Sequence, residues 1–267
     1  MNETTQGQVW TSGDAYERWI GRWSRVVARQ FLPWLGVPAG ARWLDVGCGT
    51  GALTEVILAS CEPASIRGID ASPFFVEHAR GAIDDARAAF DVASADSLPF
   101  PDASFDAIAS ALVLNFVPDP TAAMAEIRRV GAPGAVVGAY LWDLSDRMDI
   151  IRAYWDAAAE LDPDAKALDE GDRYPLCRED AFRELFTAAG LRDVEVRAID
   201  AEAVFPDFED FWTPLLGGQG PAPAYNMTLD EEHRGRLRDL LRSRLPVAAD
   251  GSISLLARAW AAKGTNP

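Results

Sequence analysis

The chain predicts an α/β sandwich, a mostly parallel sheet with helices on both faces, and three observations predict it. Short apolar runs alternate with segments of helical periodicity at regular intervals from about residue 40 onward. A glycine-rich turn joins the first apolar run to the helix that follows. No linker-like change of composition and no internal repeat divides the 267 residues, and a chain that is 49% hydrophobic suffices for one large α/β domain or two small ones. A single domain over 1–267 is expected.

Residues 14–35, DAYERWIGRWSRVVARQFLPWL, carry Tyr16, Trp19, Ile20, Trp23, Val26, Val27, Phe31 and Trp34 at helical spacing. Asp14 can cap that helix and Pro33 lies near its end. RWLDV reads as a buried strand, ALTEVILAS as a helix, and SIRGID as a second strand ending in Asp70. SPFFVEHARGAIDDAR reads as a helix capped by Ser72, and AFDVASAD as a third strand ending in Asp96. SFDAIASALVL is the fourth strand, TAAMAEIRRV a helix, and GAPGAVVGAYLWD a turn with the fifth strand. YWDAAAELDPDAKAL and EDAFRELFTAAG are helical, the latter stopped by Gly190. LRDVEVRAIDAEAVF alternates like a strand, FEDFWTPLL is a short helix, and GGQGPAPAYN a loop. LDEEHRGRLRDLLRSRL is a helix with acids first and arginines last, as the helix dipole favours, and SISLLARAWAAKG is a final strand.

Composition narrows the partners. The formal net charge of −16 opposes a nucleic-acid clamp, which needs a basic face. The arginines of the penultimate helix, Arg234, Arg236, Arg238, Arg242 and Arg244, read as a solvated face complementing the helix C-terminus. The three cysteines include no C-x-x-C pair and the only histidines are His78 and His233, so no metal site is expected. No run of eighteen apolar residues predicts a membrane span, and MNETTQGQVW lacks the pattern of a signal peptide; a cytoplasmic protein without a membrane partner is expected, monomer or homodimer.

The stretch WLDVGCGTG carries the chemistry. A glycine loop between a strand and a helix lets a ligand approach backbone amides and the helix N-terminus. Gly47, Gly49 and Ala52 also fit the loose dinucleotide pattern G-x-G-x-x-G/A, a weak match alone. Asp45, two residues before Gly47, would repel a pyrophosphate and suits an ammonium group. Gly51 makes the pattern G-x-G-x-G, and Asp70 ends the next strand, where a carboxylate can accept both hydroxyls of a ribose. Asp96 and Ser97 stand where an adenine edge could be held. Such a ligand is an adenosine bearing an amino acid and no phosphate, namely S-adenosylmethionine (SAM).

WLDVGCGTG, GIDAS, ASADSLPFPDASFDAI and ALVLNFVPDPTAAMAEIRRV resemble the consecutive motifs of the class I SAM-dependent methyltransferases, in particular the small-molecule and ubiquinone/menaquinone-biosynthesis type. The motif-bearing resemblance covers about residues 40–142. It implies a Rossmann-like three-layer sandwich whose seven-stranded, mostly parallel sheet has an antiparallel last strand, SISLLARAW. Within it, residues 1–38 would form a lid helix, 39–142 the SAM-binding core, and 143–267 substrate-side insertions and C-terminal strands. The resemblance implies that Asp45, Gly47, Cys48, Gly49 and Gly51 hold the methionine part. Asp70 would take the ribose, Ala71 would lie against the adenine, and Asp96 and Ser97 would meet its edge. Cys48 reads as a small loop filler and not a nucleophile. The segment Ala111 to Phe116 would line the methyl-transfer mouth, with Asn115 where many relatives place a histidine. The chain has GAPGA where the family often shows L-x-P-G-G.

The reaction expected is transfer of a methyl group to a small, apolar or aromatic metabolite, giving S-adenosylhomocysteine. Walls of the acceptor site are expected from Tyr16, Trp19 and Arg22 of the N-terminal helix, from the strand-five exit Tyr140 to Asp143 including Trp142, and from Gly217 to Pro223. Tyr16 and Arg22 would face the ligand, and Arg22, with no acid near it in sequence but Glu17, would meet the methionine carboxylate. No catalytic residue is identified; the base is a carboxylate, a tyrosine or none. The rival readings are an NAD(P)-dependent oxidoreductase, a methyltransferase of RNA or protein, and a catalytically silent SAM-binding protein.

Overall fold

The computed structural model describes residues 21–218 and 220–267. Tyr16 and Trp19, and with them the first part of the expected N-terminal helix, lie outside the described residues. The described residues group into two compact units, one of Ser24–Trp142, Leu176–Ile199 and Ala259–Pro267, the other of 21–23, Asp143–Pro175 and the described part of Asp200–Arg258.

The first unit holds β1 to β5 whole, with the first part of β6 and the last part of β7. Helix α1 (Arg22–Leu35) precedes β1 (Arg42–Val46), α2 (Ala52–Ser60), β2 (Ser65–Asp70), α3 (Pro73–Ala82), β3 (Ala88–Val92), β4 (Phe105–Ala111), α4 (Pro120–Val130) and β5 (Gly131–Trp142). Later, α7 (Glu179–Ala188) leads to β6 (Arg192–Phe205), and β7 (Ile253–Thr265) ends the chain. The strand order is β3-β2-β1-β4-β5-β7-β6. β1 pairs in parallel with β2 and β4, β2 with β3, and β4 with β5, while β7 runs antiparallel to β5 with Tyr140 opposite Ala261.

β1 is buried over Trp43–Val46, as a central parallel strand covered on both faces requires. α1 buries Val27, Ala28, Phe31, Leu32 and Leu35, and Phe31 meets the Tyr140 ring edge-on at 5.1 Å. α3 is capped as its sequence suggests, with the Phe75 amide donating to Ser72 Oγ. It is shorter than the periodicity predicts: Ile83 is already extended, and its side chain packs with Cys48, Val76, Ala79 and Phe90. Asp85 then turns the chain toward β3, accepting the Arg87 amide at 2.9 Å.

The second unit contains α5 (Asp149–Leu161), α6 (Glu170–Arg173), α8 (Phe208–Trp212), α9 (Pro221–Thr228) and α10 (Glu231–Arg244). The expected loop GGQGPAPAYN is half helix. Pro221 and Pro223 both fall in the first turn of α9, where the missing N–H groups would have had no intrahelical partner. The helical run YWDAAAELDPDAKAL breaks at Asp162, whose side chain caps the 3-10 turn Pro163–Leu168.

Candidate functional site

The glycine loop follows β1 and precedes α2. Gly47 and Cys48 both donate their amides to the Ile69 carbonyl at 2.8 Å, and Gly51 donates to Cys48 O at 2.8 Å. The three loop glycines all have positive φ, but they serve different neighbours. A Cβ on Gly47 would stand 2.4 Å from Val113, and one on Gly51 would stand 2.6 Å from Ile83. A Cβ on Gly49 would meet nothing within 4 Å. Gly47 and Gly51 therefore admit protein packing, and Gly49 borders open space where a ligand can approach the backbone.

Asp45 is fully buried at the carboxyl end of β1. Thr54 Oγ1 donates to its Oδ2 at 2.7 Å, and its Oδ1 is buried without a partner among the described residues. Burial pushes this carboxyl up to about 7; the Thr54 hydrogen bond opposes the shift and the nearby Asp70 charge adds to it. Asp70 is half-buried and closes the loop: its Oδ2 accepts the Gly49 amide at 3.0 Å and its Oδ1 the Ser72 amide at 2.8 Å. Burial raises the Asp70 carboxyl, and those two amides partly offset it. Each Asp70 oxygen keeps one lone pair for a ligand hydroxyl.

An adenosine bearing an amino acid fits these groups. The orphaned Asp45 oxygen is a ready acceptor for an ammonium, and two carboxylates around one loop favour a cation over a pyrophosphate. Cys48 is buried against Val76, Ala79 and Phe90, and burial pushes its thiol up, away from nucleophilic reactivity.

Asp96 and Ser97 are not at a strand end. β3 stops at Val92, and both residues are exposed in a turn closed by the Ser94–Ser97 bridge, whose buried face is taken by the apolar Ala95 and Leu98. The sequence did not single out what holds this turn. Arg129 on α4 donates to the carbonyls of Leu98 (3.0 Å) and Phe100 (2.8 Å) and pairs with Glu126 and Asp102. Glu126 also accepts the Leu98 amide at 2.9 Å. One of two adjacent arginines late in a helix, Arg128 and Arg129, gives no local sign of that role.

Ala71 is exposed just past Asp70, and Phe74 is 52% exposed at the start of α3. Ala111 ends β4, Leu112 takes a left-handed backbone with φ 62°, and its amide donates to Tyr140 O at 2.8 Å. This strained corner turns the chain outward, so that Asn115 is half-buried and Phe116 is 39% exposed. Trp142 is buried at the end of β5. Tyr140, expected as a wall, is a core residue: its hydroxyl is fixed by Ser24 Oγ at 2.8 Å.

In the second unit, Arg22 has the acid that the sequence did not offer nearby. Its Nη1 donates to Asp210 Oδ2 at 2.9 Å, and its guanidinium lies over the Trp23 and Phe205 rings at 4.7 and 4.8 Å. The arginines of α10 bind neighbouring elements: Arg238 and Arg242 pair with Glu209, Arg244 with Glu160, and Arg234 donates to the carbonyls of Asn226 and Leu229. This unit also buries Glu170, which accepts the Trp155 indole N–H at 3.0 Å and is pushed up to about 7 by burial. A cleft of about 390 Å³ between α5, α9 and α10 is lined by Ala158, Tyr225, His233 and Arg236 among others, and contains no residue of the glycine loop. Among the described residues no three His, Cys, Asp or Glu side chains gather to hold a metal, and no helix is long and apolar enough to cross a membrane.

The chain is similar to known methyltransferases. A family model described as a methyltransferase domain matches residues 44–138. Methyltransferase GfsG of Streptomyces halstedii is 33% identical over 204 residues, 73% of this chain and 70% of that protein. The 2-methyl-6-phytyl-1,4-hydroquinone methyltransferase of Synechocystis sp. is 29% identical over 187 residues, covering 69% of this chain; the chain spans 57% of that relative's length. The structure of Haemonchus contortus phosphoethanolamine N-methyltransferase 2 in complex with S-adenosyl-L-methionine matches the fold with a TM-score of 0.60 at 19% identity, over 95% of this chain and 56% of that one.

Proposed function

Because the chain belongs to the class I SAM-dependent methyltransferases, we propose that it moves a methyl group from SAM to a small apolar or aromatic metabolite. The observation that carries the reading is the pairing of open space at Gly49 with the orphaned, buried Oδ1 of Asp45. When bound, SAM supplies a methyl carbon made electrophilic by its sulfonium. The chain's residues bind and orient. Asp45 accepts the ammonium, the remaining lone pairs of Asp70 accept the ribose hydroxyls, and the amides of the loop border the amino-acid part. Ala71, Asp96 and Ser97 flank the adenine in this proposal, and the Ala111–Phe116 segment borders the acceptor.

The exposed Phe116 supports an apolar or aromatic acceptor, and the hydroquinone named for the Synechocystis relative is of that class. Transfer to such a nucleophile depends mainly on alignment and exclusion of water. An oxidoreductase is disfavoured, since the buried, orphaned Asp45 oxygen would face a pyrophosphate. The test is turnover. The chain, SAM and a pool of phenolic and other small metabolites are incubated, and S-adenosylhomocysteine and products heavier by one methylene are followed by mass spectrometry. Formation only with polar amines or with RNA would sink the acceptor class, and tight SAM binding with no turnover in any pool would favour the silent reading.

A further inference from the structure

We infer that Thr54 is the positioning residue of the cofactor site: its hydroxyl fixes the Asp45 carboxylate so that Oδ1, and only Oδ1, is left for the cofactor's ammonium. The inference deepens the methyltransferase reading and rests on it. A threonine in the first turn of a helix ordinarily turns its hydroxyl to a carbonyl one turn back or to solvent. Thr54 does neither. It is fully buried on α2, and its Oγ1 donates across to Asp45 Oδ2 at 2.7 Å. Oδ2 is thus held by the first turn of α2, and Oδ1 is left orphaned.

The bond has an electrostatic consequence as well. A carboxylate buried this deeply resists ionisation, and an ammonium needs the ionised form. Burial raises Asp45 to about 7, and the Thr54 hydroxyl is the largest influence in the other direction. The titratable groups facing Asp45 are Asp70 from the end of β2, which raises it further, and the Cys48 thiol, which stays neutral. Removing the hydroxyl therefore moves Asp45 upward and frees the carboxylate to turn.

The experiment is calorimetric titration of the full chain with SAM between pH 6 and 9, for the parent, Thr54→Val, Thr54→Ala and Thr54→Ser, with melting curves for each. The parent should bind more tightly as pH rises through about 7. Thr54→Val and Thr54→Ala should bind about tenfold more weakly at pH 7, the order expected for losing a hydrogen bond to a charged group. Their break should shift to higher pH, so that the deficit narrows toward pH 9. Thr54→Ser should restore both affinity and break. Parent-like affinity and break in the folded Val or Ala variant would overturn the inference. So would a uniform loss across the pH range that serine does not rescue, which marks a packing role. A parent that binds no SAM at any pH would overturn the methyltransferase reading itself, a result separable from either.

Discussion

The Gly49 amide donates to Asp70 Oδ2 at 3.0 Å, so the acid at the end of β2 fastens the tip of the glycine loop that follows β1. Together with the Ser72 amide on Oδ1, this makes Asp70 both a strut of the loop and a candidate ribose acceptor.

Asp70→Ala removes both roles. SAM affinity should fall by roughly 10- to 150-fold, the equivalent of about 1.5–3 kcal/mol for hydrogen bonds to a charged group. Titration calorimetry at constant pH reads this directly. Unchanged affinity would place the ribose elsewhere, and a gain of NADPH binding would revive the oxidoreductase reading.

The loop glycines should separate by their neighbours. Gly47→Ala drives a methyl into the branched carbons of Val113 and should lose stability by several kcal/mol, on the order seen for overpacking plus left-handed strain; Gly51→Ala meets only the tip of the Ile83 side chain, which can swing aside, and should lose less. Gly49→Ala meets no atom and should cost only about 1–2 kcal/mol of backbone strain, yet lose SAM binding. Thermal melts beside binding isotherms check the pattern. A Gly49→Ala chain that binds SAM normally would contradict the assignment of that open space.

Glu170 predicts a pH dependence of stability. Its folded carboxyl is raised from the ordinary 4.5 to about 7, so between those values the folded chain holds a proton that the unfolded chain has released. The sign follows: its contribution is complete below about pH 4.5 and is lost as pH rises through 7. Arg152 and Arg173 temper the shift and Asp169 adds to it. Glu170→Gln, which can still accept the Trp155 N–H, should flatten the decline in stability from pH 5 to pH 8 by about 2–3 kcal/mol. Parallel declines in denaturant titrations of the two chains would refute it.

The Arg22–Asp210 pair should couple weakly. Its side chains are 30% and 36% exposed, so a double-mutant cycle should give about 0.2–1 kcal/mol. Arg22→Ala should cost more than Asp210→Ala, since it also removes the guanidinium from the Trp23 and Phe205 rings. SAM affinity measured on the same variants tests the expected carboxylate role: a loss beyond about tenfold in Arg22→Ala alone would exceed what the local packing explains.

The sequence by itself determined the strands RWLDV and SIRGID, the helix ALTEVILAS, the Ser72 cap and the placement of the glycine turn between β1 and α2, and the family resemblance added the antiparallel last strand. These are legible because periodicity, capping and glycine placement act over a few residues along the chain. Tertiary structure decided the rest. It distinguished Gly49 from Gly47 and Gly51 by what stands opposite each, and it turned Thr54 onto Asp45. It held the exposed Asp96–Ser97 turn through Arg129 and gave Arg22 an acid 188 residues away. Such pairings depend on which buried polar group must be satisfied once the elements have closed on one another, and that demand leaves no periodic mark in the sequence.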